Sequence, residues 1–143
     1  MIELLYLASE IQCGAGGDFL NIQVDVYNNQ ELVQTMMVSD KVLLPVDSVN
    51  NLTFNYKIVN NTTSCNLATP TTLLLGPEDA VPSLAGFSDQ QSIQDMLNNL
   101  NDYEELFLVE LGTTNQSSPA FDLQDVVFVV NNNPMASNSI FAD

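Results

Sequence analysis

The sequence predicts a mainly β protein, an antiparallel β-sandwich or compact barrel of about seven or eight strands with one inserted α-helix at about residues 89–101. Three observations predict it. Apolar and polar residues alternate with period two in several short segments, as in half-buried strands. One late segment, Val126 to Val130, is apolar without a break. A single stripe, Ile93, Met96, Leu97 and Leu100, runs at helical spacing and must lie on a sheet.

Taken in order, residues 2–8 open with a candidate strand, and Gly14-Ala15-Gly16-Gly17 follow as a loop. That glycine run lacks the Lys and Ser/Thr of a phosphate-cradling loop, and a strand rather than a helix comes after it. Leu20, Ile22, Val24 and Val26 alternate with Asn21, Gln23 and Asp25. Tyr27 to Gln30 form a turn, since Asn accepts positive φ, and residues 31–38 return as the partner strand. Residues 41–46 make a short strand that Pro45 confines to a sheet edge. Leu52, Phe54, Tyr56 and Ile58 alternate with Thr53, Asn55 and Lys57, and 71–75 are a further candidate.

The helix begins at a capping pair, Ser88 with Gln91, and carries Asp89 in its first turn, where the helix dipole favours an acid. It stops near Asn101-Asp102. Residues 103–111 then form a strand with Leu106, Leu108 and Tyr103 on one face. The connection around Gly112–Pro119 makes this strand and 126–130 antiparallel neighbours joined by a long exposed loop. The chain reads as a single domain, 1–143, with a docking tail at 134–143. Ile140 and Phe141 in that tail would be exposed unless they met a neighbour, and Met36 and Met37 are interface candidates because only one of them can face a core.

The charge excludes more than any motif does. Lys41 and Lys57 are the only cations, against eighteen carboxylates, and there is no Arg or His, for a net charge of −16. Charged residues make up only 14% of the chain, where about 25% is usual, so bases are missing rather than acids in excess. Asn, Gln, Ser and Thr, 46 residues together, keep the surface wet instead. The imbalance is steepest after residue 75, where eleven acids meet no base. Such a field repels nucleic acid, anionic membranes and other copies of the chain unless cations or neutral contacts intervene. Without His or Arg, few acid–base, phosphate-binding or zinc sites can be built, so no enzyme is expected.

Two cysteines, Cys13 and Cys65, are read first as half-buried free thiols and second as one disulfide. Asp122 and Asp125, with Glu110 across the hairpin, could gather the oxygens a Ca²⁺ ion needs, though solvated loop acids are the plainer reading. Glu78-Asp79 could do the same in another loop. Beyond this weak Ca²⁺ site no cofactor is expected. Four glycosylation sequons, at Asn51, Asn60, Asn61 and Asn115, are what chance gives in a chain rich in Asn and Thr.

No apolar run approaches the roughly 20 residues of a membrane-spanning helix. Met1 to Leu7 carry no basic residue, so a signal peptide is not expected. An exterior-type surface on an unexported chain fits a virion protein, made in the cytoplasm and then facing outward. The chain resembles, in size and general character, the small acidic β-domains that decorate phage capsids. That resemblance implies a non-catalytic structural protein on the virion surface, a decoration or cement protein. Its partners would be other copies of itself, as a homo-oligomer, and a larger shell or capsid protein; nucleic acid and membrane are not expected partners. The alternative is an extracellular adhesion or filament module, Ca²⁺-stabilised and secreted without a signal peptide. An acidic nucleic-acid-mimic inhibitor ranks third, because the acids are scattered rather than set at phosphate-like spacing.

Overall fold

The computed structural model describes residues 1–13, 17–59, 65–83, 90–136 and 138–141. Eight strands run in the order β1 (Ile2–Ala8), β2 (Asn21–Asn28), β3 (Glu31–Met36), β4 (Lys41–Leu44), β5 (Leu52–Val59), β6 (Thr71–Leu75), β7 (Glu104–Glu110) and β8 (Val126–Asn131). One helix, α1 (Gln90–Asn98), lies between β6 and β7. All pairings are antiparallel. A five-stranded sheet in the order β4-β1-β8-β7-β6 packs on a three-stranded sheet, β3-β2-β5. The molecule is a β-sandwich with one helix.

The sequence pattern explains why the larger sheet sits in the middle of three layers. Along β8, Val126, Phe128 and Val130 enter the core between the sheets, while Val127 and Val129 enter a second core on the outer face. A strand wetted on neither side reads as an unbroken apolar run. On β1, Ile2, Leu4 and Tyr6 face inward and Leu5 and Leu7 outward. The outer core is closed by Ile93, Leu97 and Leu100 from the helical segment and by Phe121 and Leu123 from the β7–β8 loop. Tyr6 ties the sheets together, its hydroxyl donating to the Ile22 carbonyl at 2.8 Å through the core.

The β2–β3 hairpin turns through two residues of positive φ, Asn29 at 51° and Gln30 at 67°, whose twist matches that of the flanking strands. β3 ends at Met36, short of the expected Val38, because residues 37–40 close a turn. There Asp40 Oδ2 accepts the Met37 N–H at 2.9 Å and Ser39 takes a φ of 81°. The helix ends at Asn98 rather than near 101; its last turn tightens through i→i+3 bonds from Asn99 to Met96 and from Leu100 to Leu97. Leu100 is buried even so. Its expected cap at Ser88, Asp89 and Gln91 falls outside the described residues and side chains, as does most of the loop at 14–17. Tyr103 precedes β7 and is exposed, so it does not share the buried face of Leu106 and Leu108.

A candidate carboxylate site at the β7–β8 loop

Glu110 ends β7, on the same face as Leu106 and Leu108, and points toward the loop that leads into β8. That loop wraps around its carboxylate. Oε2 accepts the N–H groups of Gly112 (2.8 Å) and Thr113 (3.3 Å), and Oε1 accepts those of Asp122 (2.9 Å) and Leu123 (3.3 Å). Asp125 Oδ2 accepts from Leu111 (2.7 Å) and Gly112 (3.0 Å), and Asp122 Oδ1 from Gln124 (3.1 Å). Gly112 suits this crowding: a Cβ there would stand 3.1 Å from Glu110 Oε2, and the carboxylate would have to shift to admit it.

The three residues named from the sequence thus meet. One oxygen each from Glu110, Asp122 and Asp125 lies within 4.8 Å of the others. Glu110 and Asp125 are buried and Asp122 is half-buried. Burial is the main force on the two aspartates, disfavouring charge; it lifts Asp125 to about 9, helped by a hydrogen bond shared with Glu110. Asp122 is lifted to about 6, again mainly by burial. Two chemistries suit such a cluster: carboxyls sharing a proton, or carboxylates neutralised by a hard cation. The four N–H groups already engage both oxygens of Glu110, so a cation would draw its main ligands from Asp122 and Asp125. Beside the cluster opens a cleft of about 480 Å³, rimmed by Glu10, Gln12 and the exposed ring of Phe19.

Cys13 and Cys65 are bonded to each other, with Cα atoms 5.9 Å apart, which corrects the expectation of two free thiols. Sequence alone could not join them, because the bond depends on two loops meeting at one end of the sandwich. The loops it ties are the ones that brace the carboxylates: Glu10 N–H donates to the Asp125 carbonyl and Ala68 N–H to the Leu111 carbonyl.

The other candidates separate. Met36 is wholly buried in the inter-sheet core, so it cannot line an interface, and Met37 is half-buried in the turn after it. Phe141 packs on the protein's own outer core rather than waiting for a neighbour, held where Ser139 Oγ donates to Glu104 and accepts the Phe141 N–H. Ile140 alone of the tail pair is exposed, at 64%. Asp79 is spent on its own loop, accepting the Gly76 N–H at 2.6 Å.

One charged feature escaped the sequence reading. Asp25 is almost fully covered on the outward side of the three-stranded sheet by Lys57 (2.8 Å), Thr35 (2.9 Å) and Gln23 (3.1 Å). The Lys57 hydrogen bond holds its carboxyl below the usual range, and raises Lys57 in return. The diagonal offset of Lys57 and Asp25 across β5 and β2 was the available signal. No family profile, curated protein or solved structure matches this chain, so the reading of its site rests on the geometry above.

Proposed function

We propose that this protein is a non-catalytic component of an assembly, a virion surface protein that decorates or cements a shell by contacts with its own copies and with a larger shell protein. The observation that carries the reading is the Cys13–Cys65 disulfide on a chain with two lysines and no Arg or His. Disulfides persist on secreted proteins and virion surfaces and are rare in the cytosol. Leu32, Val33, Val38 and Leu43, all at least 38% exposed along β3, β4 and the turn between them, supply a neutral apolar edge for neighbouring subunits. Contacts of that kind let strongly acidic copies approach one another.

One observation favours a second reading, an extracellular adhesion or filament module stabilised by Ca²⁺. It is the convergence of Glu110, Asp122 and Asp125 at a single loop. Immunogold labelling of source material with antibody to the recombinant protein separates the two. Label on particle shells is expected; label on cell-surface filaments would transfer the protein to the second reading. A monomer that binds no particle and blocks a DNA-binding enzyme at equal stoichiometry would overturn both.

A further inference from the structure

The two layers of the sandwich are unequal, and the mismatch lies on one side. At the other side the sheets end together, β3 running through the 37–40 turn directly into β4. In the middle, β2 lies over β1 through the Tyr6–Ile22 hydrogen bond. β5 lies over β7 and β8, with Phe54 5.1 Å from Phe107 and 5.8 Å from Phe128 between ring centres. No strand among the described residues then faces β6. Where a fourth strand of the smaller sheet would lie, there is an open groove of about 380 Å³. Leu52, Phe54 and Tyr56 of β5 form one wall, and Thr72, Leu74 and Phe107 the other.

The edge that borders this groove differs from the other three. β3 carries a bulge opposite Val26–Tyr27. β4 is four residues long, begins with Lys41 and is followed by Pro45. β6 is five residues long and follows Pro70. Each of these is a recognised way of blunting an edge against further pairing. β5 has eight residues and no proline, its one lysine, Lys57, is engaged by Asp25, and it keeps unbroken register with β2 from Leu52 to Val59.

We propose that β5 and the groove beside it accept an extended segment of another protein, which adds as a fourth strand to the β3-β2-β5 sheet. Main-chain bonds to the outer edge of β5, which pairs with no strand among the described residues, would supply affinity, and alternate apolar side chains of the segment would settle on Phe54, Leu74 and Phe107. Charge selects the donor. The ten residues lining the groove include no carboxylate, yet the whole chain carries −16, so a neutral segment with basic flanks is drawn in. A second copy, whose only cations are Lys41 and Lys57, offers no such base-flanked segment and is the poorer donor for this groove, whatever contacts copies make at the β3–β4 edge. The inference stands on this geometry alone, whether the protein serves a shell, a filament or neither.

The probe is a blocked nine-residue peptide of alternating Thr and Val with a Lys at each end, beside a version with Glu at each end and one with a central proline. Amide hydrogen exchange and ¹⁵N-resolved titration report binding. Expected are slowed exchange at β5 amides, tighter binding of the Lys peptide than of the Glu peptide, and no binding of the proline peptide. Thr72→Trp, which fills the groove from an exposed position, should weaken binding by about tenfold or more. Thr53→Lys, which puts a like charge on its rim, should also weaken binding of the Lys peptide, and Leu32→Ser on the opposite edge should not. Failure of the Lys peptide to bind at millimolar concentration would overturn the proposal. So would binding that neither groove variant weakens, or protection that maps to β3 or β4. Protection of β5 that grows with protein concentration and no peptide would assign the groove to a second copy instead, and overturn the proposal as well.

Discussion

The Oε1 atom of Glu110 accepts the N–H of Leu123, thirteen residues further along, and so secures a leucine at a φ of 56°. A branched side chain in the left-handed region costs roughly 1–2 kcal/mol. Leu123 is nonetheless buried in the outer core, and that burial together with the Glu110 bonds offsets the cost. The carboxylate cluster therefore shapes the loop first, and any ligand must work within that arrangement.

The same cluster fixes the direction of the pH response. Asp125 and Asp122 release protons near pH 4 when unfolded, but only at about 9 and about 6 when folded. Between those limits the native state holds more protons, so these two groups make stability fall as pH rises. Asp25, held below its usual value by Lys57, works the other way: its contribution is present above about pH 4 and lost as pH falls through the native value. Urea midpoints measured from pH 3 to 10 should therefore peak on the acid side of neutrality. Asp125→Asn keeps an acceptor and a neutral donor in place, and should flatten the decline above pH 6. An unchanged decline would show that Asp125 is not the group responsible.

Calcium offers a separate check. If Asp122 and Asp125 bind it, millimolar Ca²⁺ should raise the melting temperature more than NaCl at matched ionic strength. Asp122→Asn should erase the difference. Equal shifts for the two salts would leave only screening of the acidic surface.

Reducing the Cys13–Cys65 bond opens a loop spanning 52 residues, worth about 4 kcal/mol in the chain-entropy picture. The Cys13→Ser, Cys65→Ser protein should show that loss in denaturant titration, with amide exchange fastest at residues 9–13 and 65–68. Retention of full stability would mean the bond does not brace the cluster end.

The helix stripe is tested by Leu97→Asp. Leu97 is 1% exposed, so an unpaired carboxylate would enter the outer core at a cost of several kcal/mol. Loss of cooperative folding is expected; a soluble variant with an intact melting transition would remove α1 from the core.

The two tail residues should respond differently. Phe141→Ala removes a ring packed on the outer core and should lower stability by about 1–2 kcal/mol in the isolated protein. Ile140→Ser should leave that stability unchanged and weaken self-association, read by sedimentation. Equal effects of both changes on folding would mean the tail docks as one unit.

How much of this was legible depended on how local the signal was. Val126 to Val130 announced a strand buried on both faces, and Ile93 to Leu100 a helix lying on a sheet. Glu110 could be placed near Asp122 and Asp125 because β7 and β8 are consecutive and their pairing returns the chain to the same end. Cys13 with Cys65, and Phe141 on the outer core, join parts of the chain distant in sequence, which periodicity does not encode. Asp25 looked like any solvent-facing acid of an alternating strand. Its burial comes from long neighbours on β3 and β5, and their identity depends on register across two interfaces.

The pairing of β1 with β8, which sets Leu4 opposite Val130, places the first strand against the last in the centre of the larger sheet. During synthesis β1 must wait until Val126–Asn131 has been made before its principal neighbour exists, and β7 cannot be joined to β1 without it. The loop-closure entropy is met late and all at once, a pattern that slows folding and leaves hydrophobic strands uncovered in the meantime. A ribosome-bound chain ending before Val126 would present β1, β4, β6 and β7 without the strand that unites them. Such nascent chains should be sensitive to protease and retained by chaperones until that strand emerges.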